Sequence, residues 1–145
     1  MIKIIKSISI LLILLNLNNA LLADNSFFED GKKKYNEKKY KESKFLFQRS
    51  IVFNPKDIFS YLYLAKIYKS EDNEKEEQKN INTVLLLDPK NEEANFLLME
   101  IELKNSNYLK VKDLAENFSK ICNKLCHKKT LILEALKNLE PKNES

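Results

Sequence analysis

Apolar residues recur every three or four positions along most of this chain, and short polar segments separate these runs. Ile58, Leu62 and Ala65 show the spacing, which is that of one face of an α-helix. Segments rich in Asn, Asp, Ser and Pro, such as Asn54-Pro55 and Asp88-Pro89, break the pattern. The chain is therefore predicted to form seven helices, at about residues 26–37, 40–53, 57–69, 74–87, 91–104, 108–121 and 128–139.

The predicted helices repeat as pairs with a fixed period. Pro55 and Pro89 stand 34 residues apart, each preceded by an apolar residue and a polar residue. The same step aligns further positions, namely Phe27 with Tyr61, Gly31 with Ala65, Phe47 with Ile81, and Ser50-Ile51 with Val84-Leu85. A fixed period of this length is typical of a stacked helical repeat.

These residues resemble the tetratricopeptide repeat. The first copy has the family's aromatic, small and closing positions, in Phe27, Gly31, Tyr35, Tyr40, Ser43, Phe47, Ser50 and Pro55. The second copy departs from the family at Glu74 and Glu77, where an aromatic and a small residue are usual. The third copy is weaker, with Asn95, Met99 and Asn123 at family positions.

The resemblance implies an all-α fold, a right-handed solenoid of helical hairpins. We expect about three repeats, at residues 24–57, 58–91 and 92–127. Residues 128–145 are expected to form a capping helix and a polar tail, because an open end of stacked helices must be covered. The apolar stripe of this cap is Leu131, Ile132, Ala135, Leu136 and Leu139.

The resemblance also implies a concave groove that binds a protein or peptide segment. Its expected lining is Phe28, Lys32, Tyr35, Leu62, Lys66, Lys69, Phe96, Glu100 and Leu103. Phe28, Leu62 and Phe96 would form an apolar line, with lysines beside it for an acidic group. The alternative is that the apolar residues only pack and the lysines are only solvated. The family's carboxylate-clamp subtype is not expected, because Tyr63 lacks an amide and Glu100 has the wrong sign.

Composition narrows the class of protein. The 145 residues suit one domain, and one Gly and three Pro argue against a β-sandwich, a barrel or a Gly-rich phosphate loop. One His and two Cys leave little for metal or His-based catalysis. The carboxylates from Glu71 to Glu77 are interpreted as a solvated turn and helix start.

Charge gives no sign of a nucleic-acid partner. The formal net charge is +4, and acidic and basic residues are mixed along the chain rather than gathered on one basic face. Residues 32–34 and 38–39 are the one lysine cluster. A solvated helix face explains this cluster, and the alternative is weak contact with an anionic membrane surface or an acidic partner.

The N-terminal segment has the parts of a secretory signal peptide. Lys3 and Lys6 precede a short apolar run, and small residues follow at Ala20 and Ala23. Residues 1–23 are therefore expected to be a signal peptide, and the protein is expected in the periplasm or cell envelope of a bacterium. Loss of the two lysines would lower the net charge from +4 to about +2.

Cys122 and Cys126 are the remaining candidates for chemistry. An exported chain with two cysteines usually pairs them. The β-carbons at i and i+4 of an unbroken helix are about 5–6 Å apart, too far for a disulfide, so pairing requires a helix break between Ile121 and Lys128. Two free packed thiols are the alternative. Thiol redox chemistry, or haem attachment through Cys122, Cys126 and His127, is the least favoured interpretation.

Together these features predict a non-enzymatic protein-interaction module, an adaptor or assembly factor that carries no cofactor. A fixed structural subunit of an envelope complex is the alternative function. The sequence does not indicate an oligomeric state.

Overall fold

The computed structural model describes residues 26–139, which are almost entirely helical and include no β-strand. The predicted signal segment and the polar tail lie outside the described residues. The helices are α1 (26–36), α2 (Tyr40–Phe53), α3 (Ile58–Ser70), α4 (Glu74–Leu87), α5 (Glu92–Lys104), α6 (Tyr108–Ile121) and α7 (Cys126–Leu139). The chain divides into two compact units, which meet in sequence between Leu64 and Ala65, within α3.

The same turn closes three helices at the 34-residue period. Lys38, Asp72 and Ser106 are the non-glycine residues with positive φ in the described part of the chain, with angles of 59°, 51° and 58°. After each, a backbone N–H donates to a carbonyl five residues earlier, from Lys39 to Lys34, Asn73 to Tyr68 and Asn107 to Glu102. This is the hydrogen bond of a Schellman helix end, so the repeat is present in the backbone as well as in the sequence.

Polar side chains start the next helices at the predicted positions. Asp57 Oδ1 accepts from the backbone N–H groups of Phe59 and Ser60, at 3.1 and 3.3 Å. Asn91 Oδ1, 34 residues later, accepts from the N–H of Ala94 at 3.1 Å. Both satisfy donors that a helix start leaves open, so Asp57 and Asn91 act as N-caps.

Four repeat positions are buried in every copy. We call the residues that share such a position, 34 residues apart, a column. In the first unit, Gly31, Ser43, Phe47 and Ser50 are buried. Their equivalents at one and two periods lie in the second unit and are buried as well, namely Ala65, Glu77, Ile81, Val84, Met99, Val111, Ala115 and Phe118. Glu77 is the one charged residue among these twelve positions. The glycine has a packing reason, because a β-carbon at Gly31 would lie 2.9 Å from Phe47 Cε1.

Helix α7 covers one side of the second unit. Ile132 and Leu136 join Met99, Val111, Ala115 and Phe118 in one buried cluster. Two members of the predicted stripe, Leu131 and Leu139, are instead 53% and 55% exposed. The helix begins at Cys126, two residues before the predicted start. Within residues 26–139, no helix is long and apolar enough to cross a membrane.

Candidate functional site

An aromatic face formed by Phe28, Tyr35, Phe59 and Tyr63 lies in the first unit. The ring centroid of Phe28 is 6.1 Å from that of Phe59 and 6.0 Å from that of Tyr63. Tyr35 lies against Tyr63 at 5.0 Å. Phe59 is the most exposed of these four rings, with 62% of its surface open to solvent. The face therefore presents aromatic surface to solvent on α1 and α3.

Underneath, the aromatic face rests on the core of the first unit. The buried ring of Phe47 stacks on Tyr63 with a centroid distance of 4.8 Å and an interplanar angle of 11°. Phe47 also contacts Phe28, at 5.9 Å. Because Phe47 is fully buried, it holds both rings in place and limits their rotamer freedom. Rings held in this way lose little entropy when a ligand packs on them.

Of the groove positions expected in the first unit, three belong to this surface or border it. Phe28 and Tyr35 are members of the aromatic face, and Lys32 Nζ lies 5.8 Å from the Phe28 ring and 3.4 Å from Glu29 Oε2. Leu62, in contrast, is only 5% exposed. Leu62 therefore packs, as the alternative interpretation of the apolar line has it, and does not line a groove.

The five expected groove residues in the second unit already make contacts within the chain. Lys66 Nζ lies 2.7 Å from Glu93 Oε1, and Lys69 Nζ lies 2.5 Å from Glu100 Oε2. Phe96 and Leu103 pack against the buried cluster that includes α7, and Lys128 Nζ lies 4.7 Å from the Phe96 ring centroid. These contacts offset the positive charge of Lys66 and Lys69, which weakens the expected docking of an acidic group there.

Part of the lysine cluster of the first unit is also paired with nearby carboxylates. Lys34 Nζ lies 2.8 Å from Glu42, and Lys39 Nζ lies 2.9 Å from Glu37. The hydrogen bond from Lys34 lowers the pKa of the Glu42 carboxyl below its usual value, so the pair stays ionised. This arrangement favours the interpretation of a solvated helix face.

A cavity of about 300 Å³ lies in the second unit and is lined mostly by charged groups. We call it the acidic cavity. Its lining consists of Lys69, Asp72, Glu74, Glu77, Glu100, Ile101 and Lys104. Four carboxylates face two ammonium groups, so the lining has an excess of two negative charges when all are ionised.

Glu77 is the deepest charge in the acidic cavity. It is only 6% exposed, and burial raises the pKa of its carboxyl above the usual value despite the nearby charge of Lys69. The interpretation of Glu77 as a solvated surface residue is therefore wrong. The burial of Glu77 could have been predicted from the sequence, because Glu77 occupies a column in which the tetratricopeptide repeat usually has a small residue.

The two cysteines are joined in a disulfide across a helix break. Their Cα atoms are 5.2 Å apart, and α6 ends at Ile121 while α7 begins at Cys126. The Glu92 carboxylate accepts from the backbone N–H of Lys124 at 3.0 Å and of Leu125 at 2.7 Å. These bonds, that to Leu125 foremost, lower the pKa of Glu92 and hold the break open. With both sulfurs bonded to each other, neither is available to attach haem.

Comparison with known proteins identifies the fold. No protein-family model matches the sequence, and no curated protein matches it either. Solved structures do match. The Yersinia enterocolitica type III secretion chaperone SycD, in complex with a peptide of the translocator YopD, is 18% identical with a TM-score of 0.70, covering 79% of this chain and 92% of that one.

Two further structures are named as TPR domains. The Arabidopsis OM64 TPR domain is 15% identical with a TM-score of 0.71, covering 82% of this chain and 98% of that one. The TPR2B domain of yeast Sti1, in its pHsp70 complex, is 11% identical with a TM-score of 0.73, covering 82% and 99%. At these identities the likeness shows the fold: this chain has an all-α helical repeat fold of the tetratricopeptide type.

Proposed function

We propose that this protein is a non-enzymatic interaction module that binds a segment of a partner protein. The aromatic face is the observation that carries this proposal. The buried Phe47 contacts two of its rings, Phe28 and Tyr63, and the largely exposed Phe59 packs against Phe28. Aromatic side chains that are both rigid and exposed are typical of binding hot spots. The likeness to SycD and Sti1, both solved in complexes, supports a peptide or protein ligand.

The test is selection of peptides from a random library displayed on phage, with the full chain as bait. Affinities of selected peptides are then measured by fluorescence polarisation. We expect Phe59→Ala to weaken binding about fivefold or more, since truncating a hot-spot aromatic costs more than about 1 kcal/mol. The matched control is Phe45→Ala on α2, where the ring is 56% exposed but lies outside the aromatic face.

Two outcomes would overturn this proposal. One is that no peptide is enriched over selection on an unrelated helical protein. The other is that Phe59→Ala and Phe45→Ala bind the selected peptides as the unchanged chain does. Circular dichroism melts of both variants check that the fold is retained.

A fixed structural subunit of an envelope complex is the second candidate. It is favoured by the exposed apolar side chains of α2, where Phe45 and Val52 are 56% and 76% exposed. Size-exclusion chromatography of a native envelope extract tests it. If this candidate holds, the chain elutes in a large complex that Phe45→Ala releases and Phe59→Ala leaves intact.

We also propose that the protein works outside the cytoplasm, in the bacterial envelope. Support comes from the charged, apolar and small-residue order of residues 1–23 and from the disulfide, because disulfides persist in oxidising compartments. The intact mass of the protein recovered from cells tests this. Loss of residues 1–23 with an oxidised cysteine pair supports export, and an uncleaved chain in the cytosolic fraction contradicts it.

A further inference from the structure

Two residues that line the acidic cavity, Glu74 and Glu77, depart from the repeat pattern. Counting back 34 residues, Glu74 and Glu77 replace Tyr40 and Ser43, and one period further on stand Tyr108 and Val111. The first and third copies thus keep an aromatic residue and a small or apolar residue here. Only the second copy places two carboxylates at these positions, and only Glu77 puts a charge into a buried column.

Most charges of the cavity are engaged with each other. Lys104 Nζ lies 3.3 Å from Glu74 Oε2, and Asn105 Nδ2 donates to Glu74 Oε1 at 2.7 Å. Lys69 is held by Glu100 at 2.5 Å. Both lysines therefore already have carboxylate partners. The negative charge left over belongs to Glu77 and to Asp72 on the turn.

The carboxylate of Glu77 accepts no hydrogen bond among residues 26–139, although the residue is more than nine-tenths buried. In the same part of the chain, every fully enclosed side-chain oxygen or nitrogen has a partner. The oxygens of Glu77 must therefore open onto the cavity that the residue lines. A desolvated carboxylate without a donor is destabilising, and a cation entering the cavity would relieve that cost.

The geometry indicates an organic cation rather than a metal ion. Within the described residues, no three acidic, His or Cys side chains are placed to hold a metal. A guanidinium is weakly hydrated, and its planar fork of donors matches a carboxylate, so it enters a partly buried site at lower desolvation cost than an ammonium. A cavity of about 300 Å³ has room for an arginine side chain.

We propose that the acidic cavity binds the guanidinium of an arginine side chain carried by the partner segment, with Glu77 as its main acceptor. This inference rests on the proposed function, since it names one residue of the ligand that the module takes. It makes Glu77 a specificity-determining residue, in a position where the repeat otherwise needs only packing.

The test is a titration of the ¹⁵N-labelled full chain with Nα-acetylarginine methylamide, followed by ¹H–¹⁵N NMR. The citrulline derivative is the matched uncharged probe, and the lysine derivative tests guanidinium against ammonium. We expect saturable shifts at the amides of Asp72, Glu77 and Lys104 with arginine, about tenfold weaker binding of lysine, and no shifts with citrulline. Glu77→Gln should weaken arginine binding about tenfold, and Glu76→Gln should not.

Glu76 is a suitable control because it is the adjacent carboxylate, pairs with Lys79 at 3.2 Å and does not line the cavity. Glu77→Ala is a second variant that should fold, since Ser43 fills the same column in the first unit. Equal binding of citrulline, equal binding of lysine, or unchanged binding by both Glu77 variants would overturn the proposal.

The outcome is separable from that of the proposed function. If peptides selected on the aromatic face bind but the arginine derivative does not, only the arginine site is wrong. If the arginine derivative binds at Glu77 but no peptide is ever selected, the cavity chemistry stands and the interaction module is wrong.

Discussion

Ser43 on α2 and Glu77 on α4 occupy the same repeat position in the two units, but only Ser43 has a hydrogen-bond partner for its buried side chain. Ser43 is fully buried, and its hydroxyl donates to the carbonyl of Gly31 at 2.8 Å. Glu77 is almost as buried but accepts no hydrogen bond within the described residues. The buried hydroxyl of Ser43 is therefore hydrogen-bonded, whereas the buried carboxylate of Glu77 has no hydrogen-bond donor among the described residues. The same position thus serves packing at Ser43, whereas at Glu77 it supplies the buried carboxylate on which the proposed arginine site depends.

Phe47→Ala should have the largest effect, because it removes the ring that supports the first unit. Phe47 is fully buried and contacts Phe28, Tyr63 and the α-carbon region of Gly31. Truncating a buried Phe costs about 3–5 kcal/mol in unfolding free energy. Chemical denaturation followed by circular dichroism measures it.

Phe45→Ala on the same helix is the matched control, because that ring is 56% exposed. We expect a change within about 0.5 kcal/mol for this surface substitution. A similar loss for the two variants would contradict the assignment of Phe47 to a packing column.

The disulfide-bonded loop between α6 and α7 should have the next largest effect on stability. Asn54 and Asp88 begin two loops in which their own Oδ1 accepts a backbone N–H two residues on, from Lys56 and Lys90. Cys122 stands at the third such position and forms a disulfide instead. The chain-entropy model assigns a loop this short about 2 kcal/mol.

A reductant should therefore lower the melting temperature of the unchanged chain and leave a Cys122→Ser, Cys126→Ser double variant unaffected. Equal melting of reduced and oxidised chains would show that the Glu92 contacts alone hold the loop.

Ser43→Ala tests how much the hydrogen bond of the buried Ser43 hydroxyl contributes to stability. The substitution removes the donor to Gly31 O, and a hydrogen bond of this kind contributes about 0.5–1.5 kcal/mol. We expect destabilisation of about 1 kcal/mol, measured by denaturant unfolding. Ser119→Ala is the control, because Ser119 is exposed and its hydroxyl donates to a carbonyl of its own helix, that of Ala115. If the Ser43 variant were as stable as the unchanged chain, the hydroxyl would have no structural role.

The repeat made the helix bounds predictable from the sequence. It did not make predictable which side chains pair, stack or bond at the repeated positions. Helix bounds follow from apolar spacing and from Asn, Asp and Pro breaks, which act locally, and six of the seven predicted helices agree with the structure to within one residue at each end. Helix α7 starts early because Glu92, over thirty residues away, accepts N–H groups of the preceding loop. Such a contact leaves no local pattern in the sequence.

The candidate site was predicted in part. Phe28 and Tyr35 followed from the repeat register, but Phe59 and Tyr63 did not, because their role depends on which rings meet in space. Ion pairs such as Lys66 with Glu93 also depend on neighbouring helices. Glu77 was visible as a departure from the repeat, yet its charge and its neighbours suggested a surface. Register, rather than residue type, is what places it inside.

Glu77→Gln should have the smallest effect, with the opposite sign to Ser43→Ala at neutral pH. Burial raises the pKa of Glu77 in the folded state, so between the usual carboxyl value and the raised value the folded state binds more protons than the unfolded state. Stability then falls as pH rises through that window. The glutamine has no such dependence, so its advantage in melting temperature should grow from pH 4 to pH 7.

Other carboxylates make stability depend on pH in the opposite direction. Their contributions cancel in the melting difference between Glu77→Gln and the unchanged chain. The pKa of Glu92 is lowered by backbone N–H donors, so its contribution is present above the usual carboxyl pKa and is lost as pH falls. Both chains share that loss. A melting difference between Glu77→Gln and the unchanged chain that stays constant across this range would mean that Glu77 is as solvated in the folded state as in the unfolded one. The acidic cavity would then lack the desolvated charge on which arginine recognition depends.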